Sequence, residues 1–492
     1  MTLDPRTPVL IGTGQVVQRA EGLDDARDPV ALMVEAIRLA CDDAGIPVGA
    51  DNPDSVRVVS LLSWKYGNPA ALIAADLGLS PAETGYSAMG GNTPQTLVNS
   101  ASRQIQSGEI DYVILTGGET TRTRARYRKA GIEPGWRTTD SVPVLVSEDL
   151  RMNMQEEIDR KIVMPIQIYP MFETALRARA GRGIEEHQVH ISELWSRFSR
   201  VAAENPYAWS RKAYTPEEIR IPSASNRMIG FPYTKFMNSN NDVDMAAALL
   251  LCSAEKAELM GVPRDRWIFP HSGSDAHEHA FVSHRDHFYD TPAIELAGRR
   301  VLELAGLTIG DIDIVDLYSC FPSAVQLGAK SLGLDITAQL TRTGGLPFAG
   351  GPWNNYVMHA IATVARELRD GIGTTGLVWA NGGYTTKHAF GVYSSQPPSS
   401  EFRYDYPQEQ IDALPSRTLA PPDDAAGEAT VEAYSVMHDR DGRPERSIVS
   451  CLLADGRRAW VDTTDTDVGR DMCDNEWVGR TVRLDASGTL LA

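Results

Sequence analysis

Three groups of residues in this 492-residue chain have the types and spacing to do chemistry. His271, His277, His279, His284 and His287 fall within seventeen residues, in PHSGSDAHEHAFVSHRDHFYD. That density suggests a metal centre, but no pair has the i, i+4 spacing of a helical zinc site, and catalytic zinc needs three convergent ligands. The run reads better as a polar loop near a site mouth, where one imidazole could serve as a general base. No metal is expected. Arg122, Arg124, Arg126, Arg128 and Lys129 form the one dense basic run, able to steer anions or simply to be a solvated face. The segment Gly90-Gly91-Asn92-Thr93-Pro94 reads as a helix start, with Asn92 or Thr93 capping and Pro94 in the first turn. Such a start leaves backbone N–H groups free to hold an anionic oxygen. Gly12-Thr13-Gly14 lacks the third glycine of a dinucleotide fingerprint, and Ser87 in GYSAMG has the wrong spacing for a nucleophile elbow. Dehydrogenase and hydrolase chemistry are therefore set aside.

The elements that must position these groups belong to a large globular protein. Hydrophobic residues make up 42% and charged residues 23%, and the length predicts two or three domains. No window approaches the eighteen apolar residues needed to cross a bilayer, and the opening MTLDPRTPVLIGTG has no basic n-region ahead of an apolar stretch. A cytoplasmic protein without membrane insertion is expected. The five cysteines, none in a C-x-x-C pair, argue against a disulfide framework or a zinc ribbon. A net charge of −18 disfavours a nucleic-acid partner.

The most informative feature is an internal repeat at an offset of roughly 260 residues. In the first copy a helical pattern, ALMVEAIRLACDDAG (31–45), leads to the strand VRVVSLL (56–62) and the helix AALIAADLGL (70–79). In the second, AIELAGRRVLELAG (293–306) leads to IDIVDLY (312–318) and SAVQLGAKSLGL (323–334). Gly90-Gly91, a helix and YVILTGG (112–118) then match Gly350-Gly351, a helix and GLVWANGG (376–383). Continuous apolar strands alternating with amphipathic helices predict an α/β fold of two duplicated, mainly parallel βαβ halves, packed in five layers. The first half is assigned to residues 1–119 and 241–260, the second to 261–396, and residues 120–240 to an inserted loop subdomain lying over the site. Residues 397–425, with PPSS and APPDDAAGE, read as a linker, and the short strands of 426–492 as a small antiparallel β-barrel of OB type. Residues 401–492 hold 19 acidic and 10 basic side chains, so the tail is a scaffold or site cover rather than a single-strand binder.

With this duplication, the local sequences ENPYAW (204–209), TPEEI (215–219), AAALLLCSAEKA (246–257), AGLTIGDIDIVDLYSCF (305–321) and GGLPFAGGP (344–352) make the chain resemble the thiolase superfamily. The resemblance covers residues 6–396 and is strongest to the sterol-carrier-protein-2 thiolase branch. It implies a thiolase fold and the making or breaking of a carbon–carbon bond beside a coenzyme A thioester. It also implies a nucleophilic cysteine where Gly91 stands, a histidine in the Gly350-Gly351-Pro352 box and a second cysteine in the Ala380-Asn381-Gly382 box. All three side chains are missing. The box that would hold an oxyanion water falls on Tyr318-Ser319-Cys320-Phe321.

The resemblance thus implies a thiolase-like, acyl-CoA-binding protein related to acetyl-CoA acetyltransferases, of the lipid-metabolism acyltransferase class but without ordinary thiolase activity. Tyr318 is the candidate catalytic residue. Gly91, Gly382, Asn381 and Tyr384 are the candidate oxyanion or substrate-binding residues, and Arg122, Arg124 and Arg126 the contacts for coenzyme A phosphates. Coenzyme A or an acyl-CoA is expected as a ligand, with no tightly bound cofactor. Two other readings stand beside it. One is a lyase, a retro-aldolase on a β-hydroxyacyl-CoA with Tyr318, Tyr384 or a loop histidine as base. The other is a non-catalytic scaffold. Oligomerisation is open.

Overall fold

A computed structural model describes residues 3–421, 424–485 and 489–491. The first half is a six-stranded sheet. Its strands are β1 (Pro8–Val17), β2 (Ser55–Val58), β3 (Glu83–Tyr86), β4 (Tyr112–Thr120), β5 (Val144–Leu145) and β8 (Asp244–Ser253), in the order β1-β8-β4-β2-β3-β5. The second half is a five-stranded sheet of β9 (Phe269–His277), β10 (Ile314–Leu317), β11 (Thr375–Gly382), β12 (Lys387–Ser394) and β13 (Arg403–Asp405), ordered β10-β11-β12-β9-β13. Both sheets are mixed. The β2, β3, β4 and β10, β11 pairings are parallel, whereas β8 runs against β1 and β4, and β12 against β11 and β9. The β11–β12 connection, residues 383–386, is far too short for a parallel crossover, so it closes a hairpin.

Helices supply the remaining layers. On the outer face of the first sheet lie α1 (Pro29–Ala44) and α2 (Pro69–Leu77), and on that of the second α10 (Pro292–Ala305) with α11 (Pro322–Leu332) packed beside it. Between the sheets, α3 (Thr93–Ser107) and α12 (Tyr356–Arg369) touch both. Every residue of β8 (DMAAALLLCS) is buried, because helices cover both faces of its sheet. α1 begins where the Asp28 carboxylate accepts the Ala31 N–H and ends at Gly45, whose φ of 72° is open to glycine and costly for other residues. α3 carries polar side chains into the centre, and they are paired there. Asn99 donates to Asp275 at 2.8 Å, and Gln95 joins Asn99 and the Tyr393 hydroxyl, each at 2.8 Å.

The insertion contributes α4 (Thr121–Ala130), α5 (Gln155–Asp159), α6 (Pro165–Arg179), α7 (Ile184–Glu204) and α8 (Pro216–Arg220), with β6 (Met228–Phe231) and β7 (Tyr233–Thr234). Its β5 completes the edge of the first sheet by pairing with β3. α9 (Ala254–Leu259) follows β8. Within the stretch expected as a linker, β13 pairs with β9, and α13 (Gln408–Asp412) packs against α10 and β9. The Pro-rich composition there marked a change of partner rather than a free tether.

The tail is an antiparallel sheet of β14 (Gly427–His438), β15 (Pro444–Leu453), β16 (Arg458–Thr463), β17 (Thr481–Leu484) and β18 (Leu490–Leu491), with α14 (Thr466–Asp474) against β15. The expected barrel does not close. Among the described residues its edges meet at an isolated bridge, Asp462 to Thr489, rather than along a ladder. β6 of the insertion instead pairs with the far end of β14 at Val436 and Met437.

Two buried arginines dock the tail. Arg177 of α6 donates to Glu476 at 2.9 and 3.0 Å and to the Tyr434 hydroxyl at 2.7 Å. Arg458, 0% exposed, pairs with Glu432 and donates to the carbonyls of Val282, Ser283 and Arg285 in the second half. Arg458→Met would leave three carbonyls and a half-buried carboxylate without their donor. We expect a loss of about 3–5 kcal/mol of stability. Thermal unfolding should show it together with faster proteolysis of the tail. Unchanged melting and proteolysis would show that this arginine does not hold the tail.

Candidate functional site

The parallel pairing of β10 and β11, Leu317 opposite Trp379, brings Tyr318 and Asn381-Gly382 to the same end of the second sheet. The start of α3 approaches that end from the first half. The candidate residues Gly91, Tyr318, Asn381 and Gly382 therefore do meet, but they meet in contact. A Cβ built on Gly91 would lie 2.5 Å from the Tyr318 hydroxyl oxygen and 2.5 Å from the Asn381 carbonyl oxygen. A Cβ on Gly382 would lie 2.5 Å from Asn92 Oδ1 and 3.1 Å from the Gly91 nitrogen. No heavy side chain fits at either position without displacing its neighbour. The volume in which a nucleophile at residue 91 would stand is filled by a phenol.

Tyr318 is 7% exposed and meets Tyr356 edge-on at 5.6 Å between ring centroids. Burial drives its phenol well above the ordinary range, so it stays protonated at neutral pH and is a donor, not a base. Tyr384 turns to the insertion. Its hydroxyl donates to the Val163 carbonyl at 2.5 Å with the Asn153 amide oxygen 3.2 Å away, and burial pushes its pKa up to about 12. Cys320, two residues after Tyr318 in the same box, is likewise pushed up to about 12 by burial and is not a thiolate.

Three residues complete the site that sequence reasoning missed. Tyr169, on α6, stacks on Phe321 with ring centroids 4.3 Å apart. Its hydroxyl donates to Gly383 O at 3.1 Å and accepts from Asn381 Nδ2 and Thr385 N, both at 3.0 Å. The insertion thus reaches the site through one buried helix. Asn354 accepts the Gly90 N–H at 3.1 Å and donates to Ser60 O at 2.8 Å, so the loop after Gly350-Gly351-Pro352 grips the α3 start with an amide. Gly351 itself faces Asn240 and Asn241. Lys387, 6% exposed, donates to Met89 O beside Gly90, and burial lowers its pKa. The signals were the asparagine pair after GGPW and a lone lysine opening an apolar strand, neither of which the resemblance marks.

Asn92 precedes α3 without making a capping hydrogen bond, and its buried Oδ1 has no partner. Among the described residues no acceptor meets the backbone N–H of Gly91 or Asn92. A cavity of about 240 Å³ opens at Asn92 and runs past Lys387 and His277, but Gly91, Tyr318 and Gly382 do not line it.

The basic run lies on α4 and is engaged with the protein. Arg122 pairs with Asp242 at 2.9 Å, Arg124 with Glu133 at 3.1 Å while stacking over Trp64, and Arg126 donates to Ala20 O at 2.8 Å. The histidines point mainly to backbone carbonyls: His271 to Gln396, His277 to Glu278 and His279 to Pro415. Among the described residues no group of three or more His, Cys, Asp or Glu is placed to hold a metal ion, and no helix is long and apolar enough to cross a membrane.

Two sheets with shared central helices define a thiolase-like protein. The comparisons agree. A crystal structure of a monomeric SCP2-thiolase-like protein type 1 from Mycobacterium smegmatis superimposes with a TM-score of 0.86 at 30% identity, covering 100% of both chains. The chain belongs to that family, the SCP2-thiolase-like proteins of type 1. The model of the thiolase-like protein type 1 additional C-terminal domain matches residues 407–489. An acetyl-CoA acetyltransferase of Methanothermobacter thermautotrophicus is 23% identical over 390 residues, 73% of this chain and 93% of that protein. The Ltp2-ChsH2(DUF35) aldolase shares the fold, with a TM-score of 0.60 at 17% identity over 79% of this chain and 98% of that one.

If residue 91 is closed by contact, adding one methyl group there must cost stability. Gly91→Ala is expected to destabilise by about 1–3 kcal/mol. Removing the phenol oxygen with Tyr318→Phe should recover part of that loss in the double variant, measured as coupling in a thermodynamic cycle. Additive effects would show that the two residues are not in contact.

Proposed function

We propose that this protein binds a coenzyme A thioester without forming an acyl-enzyme. The observation that carries the reading is the Tyr318 hydroxyl in the space of a side chain at residue 91. Covalent acyl transfer needs a thiolate there and a base to activate it, and the chain offers a glycine with protonated phenols around it. Binding is supported by the relation to an acetyl-CoA acetyltransferase and by the unpaired N–H groups of Gly91 and Asn92 at the start of α3. Donors of that kind suit a thioester oxygen. Arg122, Arg124 and Arg126 of α4 are not part of this reading, because each already has a protein partner.

The retro-aldolase reading needs a base for a hydroxyl proton. Tyr318 and Tyr384 are both pushed up by burial, and the Tyr384 hydroxyl is held by Val163, so no observation favours it over binding alone.

Incubation with acetyl-CoA or acetoacetyl-CoA should leave the intact mass of the protein unchanged and yield neither condensation nor thiolysis. Titration calorimetry with acetyl-CoA should show weak, saturable heat. A trapped acyl-enzyme would refute the first half of the proposal. No heat at millimolar acetyl-CoA would refute the second.

A further inference from the structure

A cavity of about 590 Å³ lies away from Tyr318, between the C-terminal half of α7, the loop 337–342 and the last turns of α12. Four arginines reach it: Arg197 and Arg200 from α7, Arg342 from the loop and Arg366 from α12. Two carboxylates face them, Glu204 and Glu367. Glu367 is taken by Arg342 at 2.5 Å. Among the described residues Arg197, Arg200 and Arg366 form no ion pair. Arg197 donates one N–H to Ile336 O at 2.9 Å, and its buried Nε has no acceptor. Arg200 donates only to Ser196 Oγ at 3.3 Å, and Arg366 lies over the Tyr207 ring at 5.6 Å.

In a chain of net charge −18, three guanidinium groups line one cavity without forming an ion pair among the described residues, with Glu193 and Asp335 near Arg197 but not in contact and Glu204 in the same lining. α7 and α12 both end here, and their carbonyl ends attract cations. That attraction does not account for a buried guanidinium N–H with nothing to donate to, which costs free energy until an acceptor arrives. Arginine forks suit tetrahedral and planar oxyanions, with several parallel N–H donors for one group. The walls between the arginines are apolar, with Val201, Pro206 and Leu340, and the volume exceeds what a bare anion fills.

We propose that this cavity is a binding site for a small organic phosphate, its phosphate oxygens on Arg197, Arg200 and Arg366 and its carbon body on the apolar wall. The site is separate from the one at Gly91, and the proposal does not rest on the thioester reading.

The test is titration calorimetry of the full chain with ADP, inorganic pyrophosphate and adenosine. ADP is expected to bind with a micromolar to submillimolar Kd, pyrophosphate more weakly, and adenosine not at all. Arg200→Gln/Arg366→Gln should weaken ADP by at least tenfold, and Arg128→Gln, an exposed arginine on α4, should leave it unchanged. Affinity should fall as salt is raised, because the contacts are ionic. The two altered arginines are on the surface of the cavity, and a melting curve matching the wild type would confirm that the variant folds. Retention of most wild-type ADP affinity by the double variant, equal affinity for adenosine and ADP, or no heat with ADP at millimolar concentration would each overturn the assignment.

Discussion

The contact between Gly91 and the end of β11 is the constraint on which the rest of the site depends. Two halves of the fold press the start of a central helix against a strand end, and at that point the separation leaves no room for a Cβ on either Gly91 or Gly382. Tyr318 closes the third side. Each part is held from behind: Gly90 by Asn354 and Lys387, Asn381 by Tyr169, and Tyr169 by its stack on Phe321. A loss of catalytic side chains has therefore been accompanied by repacking, since a vacated polar pocket between two sheets would leave both poor packing and unmatched donors. Returning a cysteine to residue 91 would meet the phenol before it met a substrate.

The tail is part of the same construction. β6 of the insertion pairs with β14, Arg177 crosses from α6 to Glu476, and Arg458 ties β16 to carbonyls of the second half. The insertion that reaches the site through Tyr169 is thereby braced from outside.

Much of the fold was legible from residue patterns. The duplication, the α/β layering and the position of the insertion follow from apolar periodicity and element order, which are local properties of the chain. The antiparallel run of β8 between β1 and β4 was not legible, because a continuous apolar run is the mark of a strand covered on both faces whichever way its neighbour runs. The open tail barrel escaped for a similar reason: turn signals count strands and do not show how the edges of the sheet meet. At residues 397–425 prolines and serines suggested a tether, and within that stretch β13 joins the second sheet.

At the site the division is sharper. The sequence alone determined that residue 91 is glycine, that the boxes at Gly351 and Ala380 lack histidine and cysteine, and hence that no thiolase nucleophile is available there. Only the tertiary structure decided what stands in their place. Tyr169, Asn354 and Lys387 come from the insertion, a loop and a strand far apart in the chain, and nothing in their local spacing announces a common destination. The same holds for the arginines. The run on α4 looked like an anion site because its members are adjacent, yet Arg122, Arg124 and Arg126 each find a partner nearby. Arg366 is far in sequence from Arg197 and Arg200 of α7, yet the three line one cavity. Charge in a sequence counts groups, whereas an anion responds to which of them the fold has left unpaired.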